Sequence, residues 1–118
     1  MPQFRPPAPG DRILILRQPW LDLILSGLKK LEIRSRRLAR QTYFLGCRRY
    51  IYGSAVVSDA FVVDTAMQWR ALFPQHQWDV AQQPFRATWA HKLSRVARAE
   101  APVHYSHPRG AIGIVLYR

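Results

Sequence analysis

Three residues in the first third of the chain combine reactive types with a suggestive spacing. They are Lys29, Glu32 and Arg34, in the run Gly27-x-Lys29-x-x-Glu32-x-Arg34. A lysine held near a carboxylate and partly desolvated can donate a proton, or accept one if its pKa falls. Glu32 can accept a hydrogen bond from an exocyclic amine such as that of cytosine or adenine. Arg34 can grip a phosphate through two parallel hydrogen bonds. Metal-free RNA cleavage needs groups that take the 2′-OH proton, protonate the leaving oxygen and neutralise the phosphorane. Glu32 or a histidine, together with Lys29 and Arg34, supplies those types, with Lys29 and Glu32 as the candidate catalytic pair. A Lys-Glu-Arg ladder on any exposed strand has the same spacing, so the surrounding elements carry much of the weight.

Those elements are legible. Ile13 to Leu16 is an apolar run suited to a buried strand. Pro19 suits the first position of a helix, and Leu21, Ile24, Leu25 and Leu28 fall on one helical stripe. Gly27 can adopt the left-handed conformation that closes the helix. In the following strand, period-two alternation places Lys30, Glu32 and Arg34 on one face, expected to meet solvent, and Leu31 and Ile33 on the other.

Taken with Arg17-Gln18-Pro19-Trp20 and the Leu-Ile-Leu helix, the Gly27-x-Lys29-x-x-Glu32-x-Arg34 segment resembles the ASCH domain, a PUA-like family related in fold to RNA-binding PUA and YTH domains. The resemblance covers about residues 13 to 34. It implies an α+β fold: a small PUA-like β-barrel of five to six strands with flanking helices, in which the motif lines a cleft for nucleic acid or a modified nucleoside. Some members of the wider family are amidohydrolases acting on N4-acetylcytidine, with a Lys, a Thr and a Glu as the catalytic set. Lys29 falls on the lysine position, but Glu32 occupies the threonine position and Asp79 is only a stand-in for the later carboxylate. The Glu-bearing pattern looks instead like the branch associated with nucleic-acid binding and, in some members, RNA cleavage.

Charge points the same way. Eighteen Lys and Arg against seven Asp and Glu leave a net charge of +11, which attracts polyanions. Fifteen of the cations are arginines, whose planar forks suit phosphates and stack on bases. RNA or another single-stranded nucleic acid is therefore the expected partner, with a modified nucleoside within it as a finer possibility. A basic module that meets an acidic protein is the bland alternative. No apolar run approaches the roughly 20 residues that span a bilayer, and MPQFRPPAPGDR lacks the apolar centre of a signal peptide, so a cytoplasmic, non-membrane protein is expected.

Four prolines in residues 1–11 suggest an extended arm, leaving 12–118 as one domain. Thr42 to Cys47 and Tyr50 to Val63 read as strands joined by an Arg48-Arg49 turn, with a bulge or bend at Gly53. Asp64-Thr65 caps a helix from Ala66 with Met67, Ala71 and Leu72 as its buried side, Trp69 and Phe73 nearby, and a stop at Pro74. Residues 74–84 form a loop over one barrel mouth, Trp89 to Val96 favours strand, Ala101-Pro102 breaks the chain, and Ala111 to Tyr117 closes the barrel. Among the aromatics, Trp20 and more weakly Trp89 are the candidates for base stacking. Arg17, Arg36 and Arg37 are the phosphate-contacting candidates, with Arg40, Arg48 and Arg49 steering. Cys47, His104 and His107 lack zinc-site spacing and His76 and His91 stand alone, so no metal or cofactor is expected.

Overall fold

A computed structural model describes residues 2–118. Six strands form one sheet: β1 (Arg12–Ile15), β2 (Leu31–Arg34), β3 (Thr42–Cys47), β4 (Tyr50–Val62), β5 (Trp89–His104) and β6 (Ile114–Leu116), in the order β2-β5-β4-β3-β1-β6. Three short helices, α1 (Trp20–Leu25), α2 (Ala66–Ala71) and α3 (Phe73–His76), flank it, one more than expected. β1 and β3 run parallel, and the other pairs are antiparallel. The result is the expected α+β, PUA-like architecture, as a curled six-stranded half-barrel.

Curling comes from irregularities in the two longest strands. Register shifts fall between Leu45 and Gly46 opposite Ile51–Gly53, and again along β4 near Gly53, Val56 and Asp59. Each extra residue bends its strand and increases the local twist. Gly53 sits at the first bend, as its position in the sequence suggests. A Cβ there would collide with the Ala97 carbonyl oxygen and approach Leu25 Cδ2 at 2.8 Å. Inside the curl, Leu14, Leu16, Tyr43, Leu45, Ala55 and Val57 meet Leu21 and Ile24 of α1 in the main apolar core.

Local chemistry differs from expectation at several points. Pro19 is the N-cap of α1 and not its first turn; the Gln18 carboxamide does the capping, accepting from Asp22 N at 3.1 Å. Leu28 lies beyond the helix end and is 60% exposed, so the apolar stripe stops at Leu25. Thr65 caps α2 through Gln68 N as expected. The side chain that α2 buries, however, is Trp69, while Met67 is 76% exposed. The helix is too short for a continuous stripe, and the largest apolar group takes the interior. Pro74 does not end α2; it occupies the first turn of α3, where a missing N–H is tolerated. β5 runs through Pro102 to His104, because residues 99–102 fall in a wide bulge between the Gly53–Arg98 and Ile51–Val103 pairs.

Residues 2–11 have no regular structure, and Phe4 packs edge-on against Phe44, with ring centroids 5.8 Å apart. Among the described residues no helix is long and apolar enough to cross a membrane. Gly53→Ala is expected to lower stability by about 3 kcal/mol through overpacking against backbone. Gly27→Ala, with open space around it but φ at +85°, should lose about 1 kcal/mol. Urea midpoints of the two variants check the order, which reverses if the bend can relax.

Candidate functional site

The site is built where α1 hands the chain to β2. Gly27 turns the backbone, Lys29 N donates to Leu23 O at 2.9 Å, and Lys30 N donates to Gln75 O at 2.8 Å. These bonds draw the start of β2 against α3. They also set Lys29 inward: it is only 2% exposed, and its Nζ donates to His76 O at 2.5 Å. The ammonium lies 4.8 Å from the centroid of the Trp20 ring, a cation–π distance. Trp20 in turn leans on Trp78 at 5.5 Å.

Glu32 and Arg34 do not face solvent as the strand pattern suggested. Glu32 is 5% exposed, because β2 curls over the mouth of the half-barrel and turns its charged side inward. Arg34 compensates it: Nε donates to Glu32 Oε2 at 2.8 Å, and Nη2 reaches Ile15 O on β1 at 2.8 Å. Lys30 alone of the expected charged face is exposed.

No carboxylate lies within 4.0 Å of Lys29 Nζ among the described residues; the ion pairs are Arg5–Asp11 and Arg34–Glu32. Burial is the main influence on the amine and pulls its pKa down to about 8, with the Arg34 charge acting in the same direction and Glu32 opposing both. A displacement of that size from 10.5 corresponds to on the order of 3 kcal/mol. A cation–π contact contributes about 1–2 kcal/mol. Desolvation therefore wins over the aromatic contact.

Two histidines that looked isolated in sequence are structural partners of the motif. Leu38 N donates to His91 Nε2 at 2.8 Å, which leaves Nδ1–H to donate to Glu32 O at 3.1 Å. Trp78 N donates to His76 Nδ1 at 2.9 Å, so Nε2–H donates to Trp69 O at 2.9 Å. His76 also stacks on Trp69 at 3.7 Å. Both rings are held as the neutral tautomer, since a second proton would face a backbone N–H. Their pKa values are accordingly lowered, chiefly by desolvation. Nothing in their spacing announced this; only the β2–β5 register, which sets Glu32 opposite His91, and the turn of α3 bring them in.

The structure thus brings together Trp20, Lys29, Glu32 and Arg34, with Trp89 opposite Arg34 in the β2–β5 ladder. Arg17, Arg36 and Arg37 are exposed on the chain segments either side. Asp79 makes no ion pair with Lys29; it lines a cavity of about 280 Å³ with Trp69, Arg70 and Phe73, which borders the Lys29 cluster through His76 and Trp78. The histidines of the C-terminal region are also elsewhere: His104 meets Tyr50 edge-on, and His107 pairs with the Tyr105 hydroxyl at 3.0 Å. Among the described residues no three His, Cys, Asp or Glu side chains gather as a metal site would require.

Comparison with solved structures places the chain in a known fold. The ASCH protein of Zymomonas mobilis superposes with a TM-score of 0.72 over 92% of this chain and 88% of that one, at 15% identity. Two single-substitution variants of the same protein give 0.71 at 14% identity over 94% and 92%, and 0.72 at 15% over 92% and 91%. The fold is that of an ASCH domain. The sequence matches no protein-family model and no curated protein.

Two consequences are measurable. Arg34→Met strands the buried Glu32 carboxylate and should cost about 3 kcal/mol in urea unfolding at neutral pH; a change within 0.5 kcal/mol would contradict the closure described here. For the histidines, folded pKa values below 6.5 mean that the unfolded chain binds more protons in that window. Stability is therefore full above 6.5 and falls as pH drops through the folded values. Denaturation at about pH 7.5 and 5.5 should show the loss, and His91→Gln, which keeps one acceptor and one donor, should shrink it.

Proposed function

We propose that the protein binds single-stranded RNA, or a modified nucleoside within it, across the mouth formed by α1, the Lys29–Arg34 segment and the loop after α3. The supporting observation is the half-exposed Trp20 ring, backed by the Lys29 ammonium and Trp78, in a chain of net charge +11. A base stacks on Trp20. Exposed Arg17, Arg36 and Arg37 hold the phosphates on either side. Glu32 and Arg34 shape the mouth in the free protein, and Lys29 fixes the ring from below.

One observation favours a second use of the same mouth, as a hydrolase. An amine with a pKa of about 8 is partly uncharged near neutrality and can serve as a base. If Lys29 plays that part in ribonuclease or deacylation chemistry, turnover rises with pH through about 8 as the amine loses its proton. Glu32→Gln separates the two uses: it removes the acidic group while keeping a hydrogen-bonding side chain, so turnover falls and binding largely survives.

Fluorescence anisotropy of a labelled single-stranded RNA at roughly 50 and 200 mM salt tests the binding. Trp20→Ala should weaken affinity about tenfold, the worth of one stacked base. Arg36→Gln with Arg37→Gln should lower the salt slope by about 1.4, at about 0.7 per lost phosphate contact. Arg109→Gln with Arg118→Gln removes two exposed charges elsewhere as the control. Equal losses in both double variants would mean generic attraction, and binding that ignores all of these substitutions would favour a protein-interaction module.

A further inference from the structure

The cavity farthest in character from the motif lies on the other side of the sheet. Tyr43, Leu45, Ala55 and Val57 point towards α1 in the main core, so their neighbours Thr42, Phe44, Ser54 and Val56 face the opposite way. Thr42 pairs with Val56, Phe44 with Ser54, and Ser54 with Ala97, which makes a continuous floor across β3, β4 and β5. Over that floor is a cavity of about 200 Å³, lined also by Gln3 and Arg5 of the N-terminal arm and by Arg95 of β5. It is smaller than the roughly 300–1,000 Å³ of a drug-sized ligand pocket. A phosphate-sized group suits it better.

The polar groups around it are available. Arg95 stands at a bulge, where two β5 residues, Arg95 and Val96, oppose Ala55 alone. Its φ of +50° is a conformation that glycine adopts at lower cost. Bulges re-aim side chains, and here the exposed Arg95 is turned to the rim of the cavity. Among the described residues its guanidinium makes no ion pair, and the hydroxyls of Thr42 and Ser54 have no protein hydrogen-bond partner. Arg5 is more engaged: Nη1 bonds Asp11 Oδ2 at 3.1 Å and Pro6 O at 3.1 Å, and the guanidinium carbon lies 5.3 Å from the centroid of the Phe44 ring. Its Nε and Nη2 remain free for an anion. Two guanidinium groups and two hydroxyls around one small hollow match the donor chemistry of phosphate recognition.

We infer that this hollow is a second phosphate site, taking a backbone phosphodiester of a nucleic-acid strand between Arg5 and Arg95 with Thr42 and Ser54 as hydroxyl donors. The choice of a strand as the source rests on the proposed nucleic-acid function, although the hollow shares no residue with the motif. The oxyanion chemistry also fits a free phosphate, and the test tells the two apart.

The experiment is an amide NMR titration of the full, isotope-labelled chain with octauridylate lacking terminal phosphates, and separately with inorganic pyrophosphate. The expected result is that octauridylate shifts the amides of Phe44, Ser54 and Arg95 as well as those around Lys29. Arg95→Gln, which leaves the arm contacts in place, should abolish the first set and weaken binding about threefold; adding Arg5→Gln should deepen the loss to about tenfold. Shifts confined to the motif would overturn the second site and leave the proposed function standing. Shifts confined to the Arg95 face would support the second site and overturn the motif as the binding mouth. Pyrophosphate shifting this face while octauridylate does not would overturn the strand as ligand. No shifts with either would overturn both.

Discussion

Arg34 holds the half-barrel closed. β2 and β1 are separated by three strands in the order of the sheet, yet one guanidinium bonds Glu32 beside it and the Ile15 carbonyl on the far side of the curl. The register shifts in β3, β4 and β5 bend the sheet far enough to make that reach possible. A lysine in the same place would have one point charge to share between the two acceptors, without a planar fork to satisfy both. The fork explains why a glutamate is tolerated in a nearly dry interior, since its charge and one oxygen are both satisfied there.

Closing the mouth determines what Lys29 becomes. Because Arg34 takes the carboxylate, the nearby ammonium is left with a carbonyl, an aromatic face and, among the described residues, no anion within 4.0 Å. Its lowered pKa follows from burial more than from any partner. His76 and His91, fixed neutral by backbone donors, add hydrogen bonds without adding positive charge to a site that already holds two cations. The His76 carbonyl and the Trp20 face offset only part of the cost of keeping Lys29 dry, so the balance of burial over partners holds its pKa down.

How much of this the sequence discloses depends on range. Local features are legible: the strand at Thr42 to Cys47, the Arg48-Arg49 turn, the Thr65 cap and the Gly53 bend all follow from a residue and its neighbours. The motif itself was visible, because Gly27, Lys29, Glu32 and Arg34 lie within eight positions. Its environment was not. Alternation places Glu32 and Arg34 on one side of a strand but cannot tell whether that side meets water or the inside of a curl. The two histidines illustrate the same limit, as Glu32 and His91 become neighbours only through the β2–β5 register. Trp69 and Met67 show a different failure: in a helix of six residues the choice of buried side is made by the cavity that waits for it, not by periodicity.

The fold keeps the Lys29 ammonium dry and short of compensating charge at the mouth of the half-barrel. Following the Lys29 ε-methylene resonances by NMR between about pH 6 and 11 measures this directly. The structure predicts a midpoint near 8, apart from that of exposed Lys30. A Lys29 midpoint near the ordinary 10.5 would mean that the amine is solvated or paired, contradicting a dry, uncompensated ammonium at this mouth.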